Sequence, residues 1–340
     1  MKALVLGGTG QLGANLVRML LGQGHQVRVL YRSRNSTRTL DGLDLEWIPG
    51  DLHIGESLRQ ACEGTDVVFH AAGYYPEETI PVDVAIGQAL KETTLVLEAV
   101  RSARVERIVY ASTLTTVGLS KQANYPANET CEFSTRFTKN PYLMAKAAME
   151  DKILDAAKQG IPAVVVIPTQ FFGPYDKRPT SGTQILMVAK RQMPLYIQGR
   201  VNCIDVRDVA VAMIRAAERG RVGERYLIGN WNGTQKELND LIAHITDTVA
   251  PMLPVPFWLA RGGAQFGEWA FRTLLRRPPL LPAFFLEVMA HMQHYDCSKA
   301  LRELEYPQSS IMQSLEDAVV WFSTHGYLEG KGISPSGLEK

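Results

Sequence analysis

Lys2-Ala-Leu-Val-Leu6-Gly7-Gly8-Thr9-Gly10-Gln11-Leu12-Gly13 decides the fold. Its first five residues form a short apolar run of the kind a fully buried parallel strand shows. Glycines follow at the G-x-x-G-x-x-G spacing, and Asn15 to Leu21 reads as an amphipathic helix. Such glycines let the backbone turn tightly and approach a pyrophosphate at the helix N-terminus. The last one lets strand and helix pack closely. A glycine pattern alone is a weak signal and also fits a structural turn; the strand before it and the helix after it favour dinucleotide binding.

The next strand, Gln26-Val-Arg-Val-Leu-Tyr31, ends in Arg32, with Arg34 just beyond. An NAD site places an Asp or Glu there for the ribose 2′-hydroxyl. No acid occurs between Gly13 and Asp41. A guanidinium at that point suits a 2′-phosphate, so NADP is the expected cofactor, with NAD the alternative. Leu45-Glu-Trp-Ile48 reads as a third strand leading to Gly50-Asp51-Leu52, where Asp51 is either an adenine-edge acceptor or a turn acid. Val67-Val-Phe69 runs into His70-Ala71-Ala72-Gly73, small residues that leave room for a cofactor at a strand's carboxyl end. A helix over 84–102, a fifth strand Arg107-Ile-Val-Tyr-Ala111, and a sixth, Pro162-Ala-Val-Val-Val-Ile167, complete the alternation. Strands alternating with helices over about 170 residues predict an α/β fold, a Rossmann-type doubly wound parallel sheet.

Ser112 and Thr113 end the fifth strand, and Tyr142-Leu-Met-Ala-Lys146 opens a helix over 140–158. Tyr142 and Lys146 stand one turn apart on the same helix face. A phenol, an ammonium and a hydroxyl together can move a proton on and off an alcohol or carbonyl oxygen.

Composition narrows the rest. Net charge is +1, from 36 Lys+Arg and 35 Asp+Glu, without the basic stripe of a nucleic-acid binder. Cys62, Cys131, Cys203 and Cys297 are far apart and read as reduced thiols. The N-terminal apolar run is too short for a signal peptide, and no run is long enough for an integral membrane segment. A cytoplasmic protein is expected. The domains expected are 1–170, binding the dinucleotide, and 171–330, a smaller, mostly helical substrate lobe from which residues near 199–228 return to the sheet. Residues 331–340 read as a flexible tail. His291 and His294 share a helical spacing but no third ligand, so no metal is expected.

Taken jointly, the glycine fingerprint, Asp51-Leu52, Ala71-Ala72-Gly73, Ser112-Thr113, Tyr142-x-x-x-Lys146 and Asp296-Cys-Ser-Lys-Ala300 resemble the extended short-chain dehydrogenase/reductase superfamily, the NAD-dependent epimerase/dehydratase family. The resemblance implies Tyr142 as general acid/base. It implies that Lys146 holds the nicotinamide ribose and lowers the tyrosine pKa, and that Thr113, with Ser112 as competitor, binds the substrate oxygen. Cofactor contacts are implied at Gly7, Thr9, Gly10, Gln11, Leu12, Gly13, Arg32, Asp51, Leu52, Ala71, Ala72, Gly73, Lys146, Pro168 and Thr169. Relatives pair through the two long helices, so a homodimer is implied.

Pro168-Thr-Gln-Phe-Phe-Gly-Pro174 is similar to the dihydroflavonol-reductase-like branch. Nucleotide-sugar epimerases tend to carry Arg at Ile167, Asn at Gln170 and an Arg at Val201. Asp205-Val-Arg-Asp208 and Ala89 are further departures. Two phosphates want fixed cationic or amide donors; Arg200, Arg207, Lys177 and Arg178 are near enough in sequence to compensate. The expected activity is hydride transfer between a nicotinamide and a carbonyl or secondary alcohol of a small molecule. The alternatives are a nucleoside-diphosphate-sugar epimerase or dehydratase with tightly bound NAD, and a non-catalytic dinucleotide-binding regulator. Trp258, Phe266, Trp269, Phe271, Phe284 and Phe285 read first as lobe core. With Arg272, Arg276 and Arg277 alongside, an apolar substrate wall or a membrane-surface contact is the second reading.

Overall fold

The structure, a computed structural model, describes residues 1–76, 80–121, 125–134, 138–260, 262, 289 and 292–328. The aromatic segment through Phe285, apart from Trp258, lies outside them, as do His291 and the residues after 328.

Seven strands build one parallel sheet: β1 (Lys2–Leu6), β2 (Gln26–Tyr31), β3 (Glu46–Pro49), β4 (Val67–His70), β5 (Arg107–Ala111), β6 (Ala163–Pro168) and β10 (Arg225–Ile228). Their order is β10-β6-β5-β4-β1-β2-β3. The chain therefore leaves β1 in one direction, then returns to its other side at β4, and the order reverses between β1 and β4. Leu6 pairs with both Leu30 and His70, so the carboxyl ends of β1, β2 and β4 open on one edge. Open α/β sheets take their ligands at such a reversal.

The apolar runs are continuous because helices cover both faces. Leu4, Leu6, Val68, Ile108 and Val165 point to the face packed by α2 (Gly55–Cys62), α3 (Val82–Ser102) and α4 (Pro141–Lys158). Ala3, Val5, Val29, Phe69 and Val166 point to the other, under α1 (Gln11–Gly22) and α6 (Val206–Arg219). Both helix periods expected for 84–102 and 140–158 are present, and α4 starts where its sequence says. Asn140 Oδ1 accepts from the backbone N–H of Tyr142 (3.0 Å) and Leu143 (3.3 Å), and Pro141 takes the first helical position. Proline loses nothing there, since that N–H has no helical partner.

The remaining elements are β7 (Gln170–Phe172), α5 (Gly182–Ala189), β8 (Leu195–Ile197), β9 (Arg200–Asp205), β11 (Trp231–Thr234), α7 (Gln235–Ile245), β12 (Leu253–Val255), α8 (Ser298–Leu304) and α9 (Ile311–Thr324); α8 packs on the sheet through Ala300 and Leu304, and the others gather in a lobe. β11, β9 and β7 make a small sheet, β12 and β8 a pair. Thr234 caps α7 in a reciprocal box with Glu237. Phe172, Val201, Cys203, Leu238, Ile242 and Phe322 form the lobe's own core. Trp258, expected in that core, is 74% exposed.

Lobe and sheet are stitched together at the glycine turn. Gln11 Nε2 donates to the Gly173 carbonyl (3.0 Å) and Asn15 Nδ2 to that of Pro174 (3.1 Å). The Arg18 guanidinium lies 3.8 Å over the Tyr175 ring. Among the described residues, no helix is long and apolar enough to cross a membrane.

Candidate active site

The turn between β1 and α1 is built for a close backbone approach. Gly7 has φ +83°, and a Cβ there would lie 2.5 Å from the Ala72 amide nitrogen. A Cβ on Gly13 would lie 2.2 Å from the Gly7 carbonyl oxygen. The helix then starts at Gly10 with no side-chain cap and no acidic residue in its first turn. Its N–H groups and the positive end of its dipole are left for an anion, as a dinucleotide pyrophosphate requires. Ala71, Ala72 and Gly73 leave β4 on the other side of this turn. Arg32 follows β2 at the same edge with its side chain exposed. Asp51 Oδ1 accepts from the His53 amide (2.9 Å), which fixes the loop after β3. These residues fit the NAD-type cofactor that such a turn serves.

Tyr142 and Thr113 meet at the carboxyl end of β5, with Lys146 one turn further along α4. Tyr142 is 8% exposed and shares hydrogen bonds with Thr113 and Tyr75. The Tyr75 ring stacks on it, centroids 5.4 Å apart and planes 11° from parallel. Burial pushes the Tyr142 phenol well up, the Tyr75 oxygen adds to this, and the Thr113 bond pulls it back. The expected lowering of Tyr142 by Lys146 is not what this arrangement produces. Lys146 Nζ donates instead to the Tyr110 hydroxyl (3.2 Å). Burial pulls Lys146 down to about 8, against the opposing pull of Glu150 and then Glu92. At neutral pH it remains an ammonium.

Ser112 and Thr113 part company, because successive extended residues face opposite ways. Ser112 Oγ donates to Glu150 Oε2, on the side away from Tyr142. Thr113 is thus the hydroxyl beside the phenol. Thr169 is buried at the end of β6.

Several participants carried no sequence reading. Glu150 is one, although its place four residues after Lys146 was a usable signal. Tyr75 is another, and nothing local announces a ring stack to a residue 67 positions away. Glu92 is 4% exposed on α3, its carboxyl raised by burial, in the field of His53, Lys146, Asp51 and Arg32. His70 is fully buried, edge-on to Tyr110 at 5.3 Å.

The proposed phosphate-binding compensation loses a member. The Arg207 guanidinium is held by Asp205 (Nε 2.9 Å, Nη2 2.6 Å) and by Asp317 (2.6 Å). Those carboxylates raise it further and hold it as part of the lobe's frame. Val201 is fully buried, so an arginine's usual place here faces core. Asp296 and Lys299 of the C-terminal motif are also structural. Asp296 Oδ1 accepts from the Ser298 amide (3.0 Å), and Lys299 Nζ donates to Glu224 (2.7 Å).

Residues 3–229 match the NAD dependent epimerase/dehydratase family. The chain belongs to this family. It is an enzyme of the reductase or epimerase/dehydratase kind, with a Rossmann-type fold. A Synechocystis sp. protein provisionally named dihydroflavonol 4-reductase is 37% identical over 330 residues, 96% of this chain and 95% of that one. Sterol demethylase protein B of Methylococcus capsulatus is 31% identical over 336 residues, 96% of this chain and 100% of that protein. The solved structure of a nucleoside-diphosphate-sugar epimerase from Pseudomonas aeruginosa superposes with TM-score 0.82 at 28% identity, covering 96% of this chain and 99% of that one.

Proposed function

We propose that this family member is an NADP-preferring reductase, or in reverse a dehydrogenase, of a carbonyl or secondary alcohol on a small molecule. The observation that carries the reading is the Tyr142–Thr113 pair, one helical turn from the Lys146 ammonium, at the strand ends beside the glycine turn. The bound cofactor would supply the hydride to the carbonyl carbon. The Gly7–Gly13 turn, Arg32, Asp51, Leu52, Ala71 to Gly73, Lys146, Pro168 and Thr169 would hold it.

Thr113 donates to the substrate oxygen and fixes it against Tyr142. The phenol then gives that oxygen its proton as the carbon is reduced, completing the alcohol. Lys146, as an ammonium, would hold the nicotinamide ribose, and solvent returns the proton to the tyrosine. Burial of the phenol keeps it protonated until the substrate oxygen demands the proton. Arg32 matches a 2′-phosphate by charge and fork geometry. The capture of Arg207 and burial of Val201 weigh against a sugar-diphosphate substrate. The Synechocystis relative's reductase name points the same way.

The same reading includes a cytoplasmic enzyme, consistent with four free cysteines, three of them buried. It also includes a homodimer through α3 and α4, whose outer faces carry the half-buried Ile86, Leu90, Met144 and Ala148. Light scattering checks the dimer.

The test of function is a panel of ketones and aldehydes with NADPH and NADH. Net oxidation of NADPH supports the reading. NAD that co-purifies, exchanges slowly and is recycled without net turnover overturns it in favour of an epimerase. Arg32→Glu should shift the KM ratio toward NADH by about tenfold or more, since an acid repels the 2′-phosphate and accepts from a 2′-hydroxyl. An unchanged ratio removes Arg32 from that role.

A further inference from the structure

Glu150 stands one turn beyond Lys146 on α4, and each is about 3% exposed. A buried carboxylate needs partners, and both oxygens of this one have them. Oε1 lies 2.5 Å from Arg225 Nε. Oε2 accepts from Ser112 Oγ and, at 2.6 Å, from Thr116 Oγ1. Arg225 comes from the sheet edge, where its other nitrogens donate to the carbonyls of Glu129 (2.9 Å) and Thr116 (3.1 Å). The carboxylate is therefore fixed by the turn after β5 and by β10, and cannot swing out to Lys146. It acts on that ammonium through space, across one helical turn.

The groups facing Lys146 are Tyr110 on β5, His70 on β4, Glu92 on α3 and Glu150 on its own helix, with Tyr142 one turn back on that helix. His70 is buried and neutral, and Tyr110 and Tyr142 are phenols pushed upward by burial. Glu150 is the strongest of the opposing charges that offset the burial of Lys146. Its second attachment works on the other reactant. By pinning Ser112, it leaves the next residue, Thr113, extended (φ −148°, ψ 149°) and on the side of Tyr142.

We propose that Glu150 is a positioning residue for the proton-transfer site, holding Lys146 as an ammonium and, through Ser112, aiming Thr113 at Tyr142. Glu150 touches none of the reacting atoms. The inference rests on reading Tyr142 and Lys146 as the reacting pair, but its test needs no turnover.

The experiment is NMR titration of protein grown with lysine labelled at 13Cε, with the Lys146 signal identified by its loss in Lys146→Arg. The wild-type midpoint is expected near 8. Glu150→Gln should lower it by about one unit or more, a tenfold change in the protonation equilibrium. Arg225→Met, which strips Glu150 of its counter-charge, should raise it. Opposite movements cannot come from general loosening of the fold. An unmoved midpoint in Glu150→Gln overturns the proposal. If that variant does not fold, a fixed or lowered midpoint in Arg225→Met does so alone. Should the midpoints move as expected while Tyr142→Phe keeps its turnover, the catalytic reading falls and the electrostatic one stands. The reverse pattern sinks only the role of Glu150.

Discussion

Acidification should destabilise this protein through His70, by an amount the structure sets. His70 sits at the end of β4 with no solvent exposure, and neither ring nitrogen has a partner among the described residues. Burial, with a smaller push from Lys146, takes its pKa down to about 3 from the ordinary 6.5. The folded ring is neutral at pH 5, while in the unfolded chain it is almost fully protonated. The unfolded state binds more protons, so stability is lost as pH falls from above 6.5 toward 3. Between pH 7.5 and 5 the unfolded state gains roughly thirtyfold in weight, about 2 kcal/mol; the whole window is worth about 5 kcal/mol. His70→Phe keeps an aromatic ring against Tyr110 and removes both the proton site and the unpaired nitrogens. Urea unfolding of both proteins at pH 7.5 and pH 5 reads the difference. The wild type should lose about 2 kcal/mol more than the variant over that interval. Equal losses, within about 0.5 kcal/mol, would refute the argument that burial keeps His70 neutral.

Two further predictions concern the supports of the site. Asn140→Ala removes the cap that starts α4, and should cost about 1 kcal/mol in thermal or urea unfolding, with a fall in activity because Tyr142 rides on that first turn. An unchanged Tm and rate would show that the packing of α4 sets its start. Asp176, 3% exposed, accepts from the amides of Thr180 (3.3 Å) and Gly182 (3.2 Å), yet burial raises its pKa to about 6 from 3.8. The folded state holds that proton more tightly, so stability falls as pH rises from 3.8 through about 6. Asp176→Asn should therefore be more stable than wild type by up to about 3 kcal/mol at pH 8, with the gain gone by pH 4. A gain that is the same at both pH values would contradict the assigned cause.

What the sequence makes legible is what is local. β1, the glycine turn and α1 follow from a five-residue apolar run and a fixed spacing, and a strand buried on both faces cannot alternate. The one-turn relation of Tyr142 and Lys146 is likewise a property of any helix. Strand ends shift by a residue or so: the third strand is Glu46–Pro49, one later than the apolar pattern gives, and the sixth begins at Ala163. Caps and edge residues decide those limits.

Less legible are contacts that the fold closes over long stretches of chain. Ser112 and Thr113 look interchangeable until Glu150, 38 residues on, takes one of them. Arg207 reads as a free phosphate ligand until α9 brings Asp317 to it. The tyrosine's acidity is hidden in the sequence for the same reason. Lys146 is close in sequence, but burial, Tyr75 and Thr113 dominate the phenol, and all three depend on tertiary packing. Asn140-Pro141, a cap residue followed by a first-turn proline, is by contrast a local signal for the start of α4.

The central claim is that Tyr142 delivers the proton while a hydride passes between nicotinamide and substrate carbon. It is tested most directly with reduced cofactor deuterated at the transferring position and a carbonyl compound that the panel identifies. Wild type should place deuterium on the carbinol carbon in step with cofactor oxidation. Tyr142→Phe should bind cofactor with unchanged affinity and lose about 10²- to 10⁴-fold in kcat, the usual weight of a positioned acid. Turnover by Tyr142→Phe within a few-fold of wild type would contradict the account.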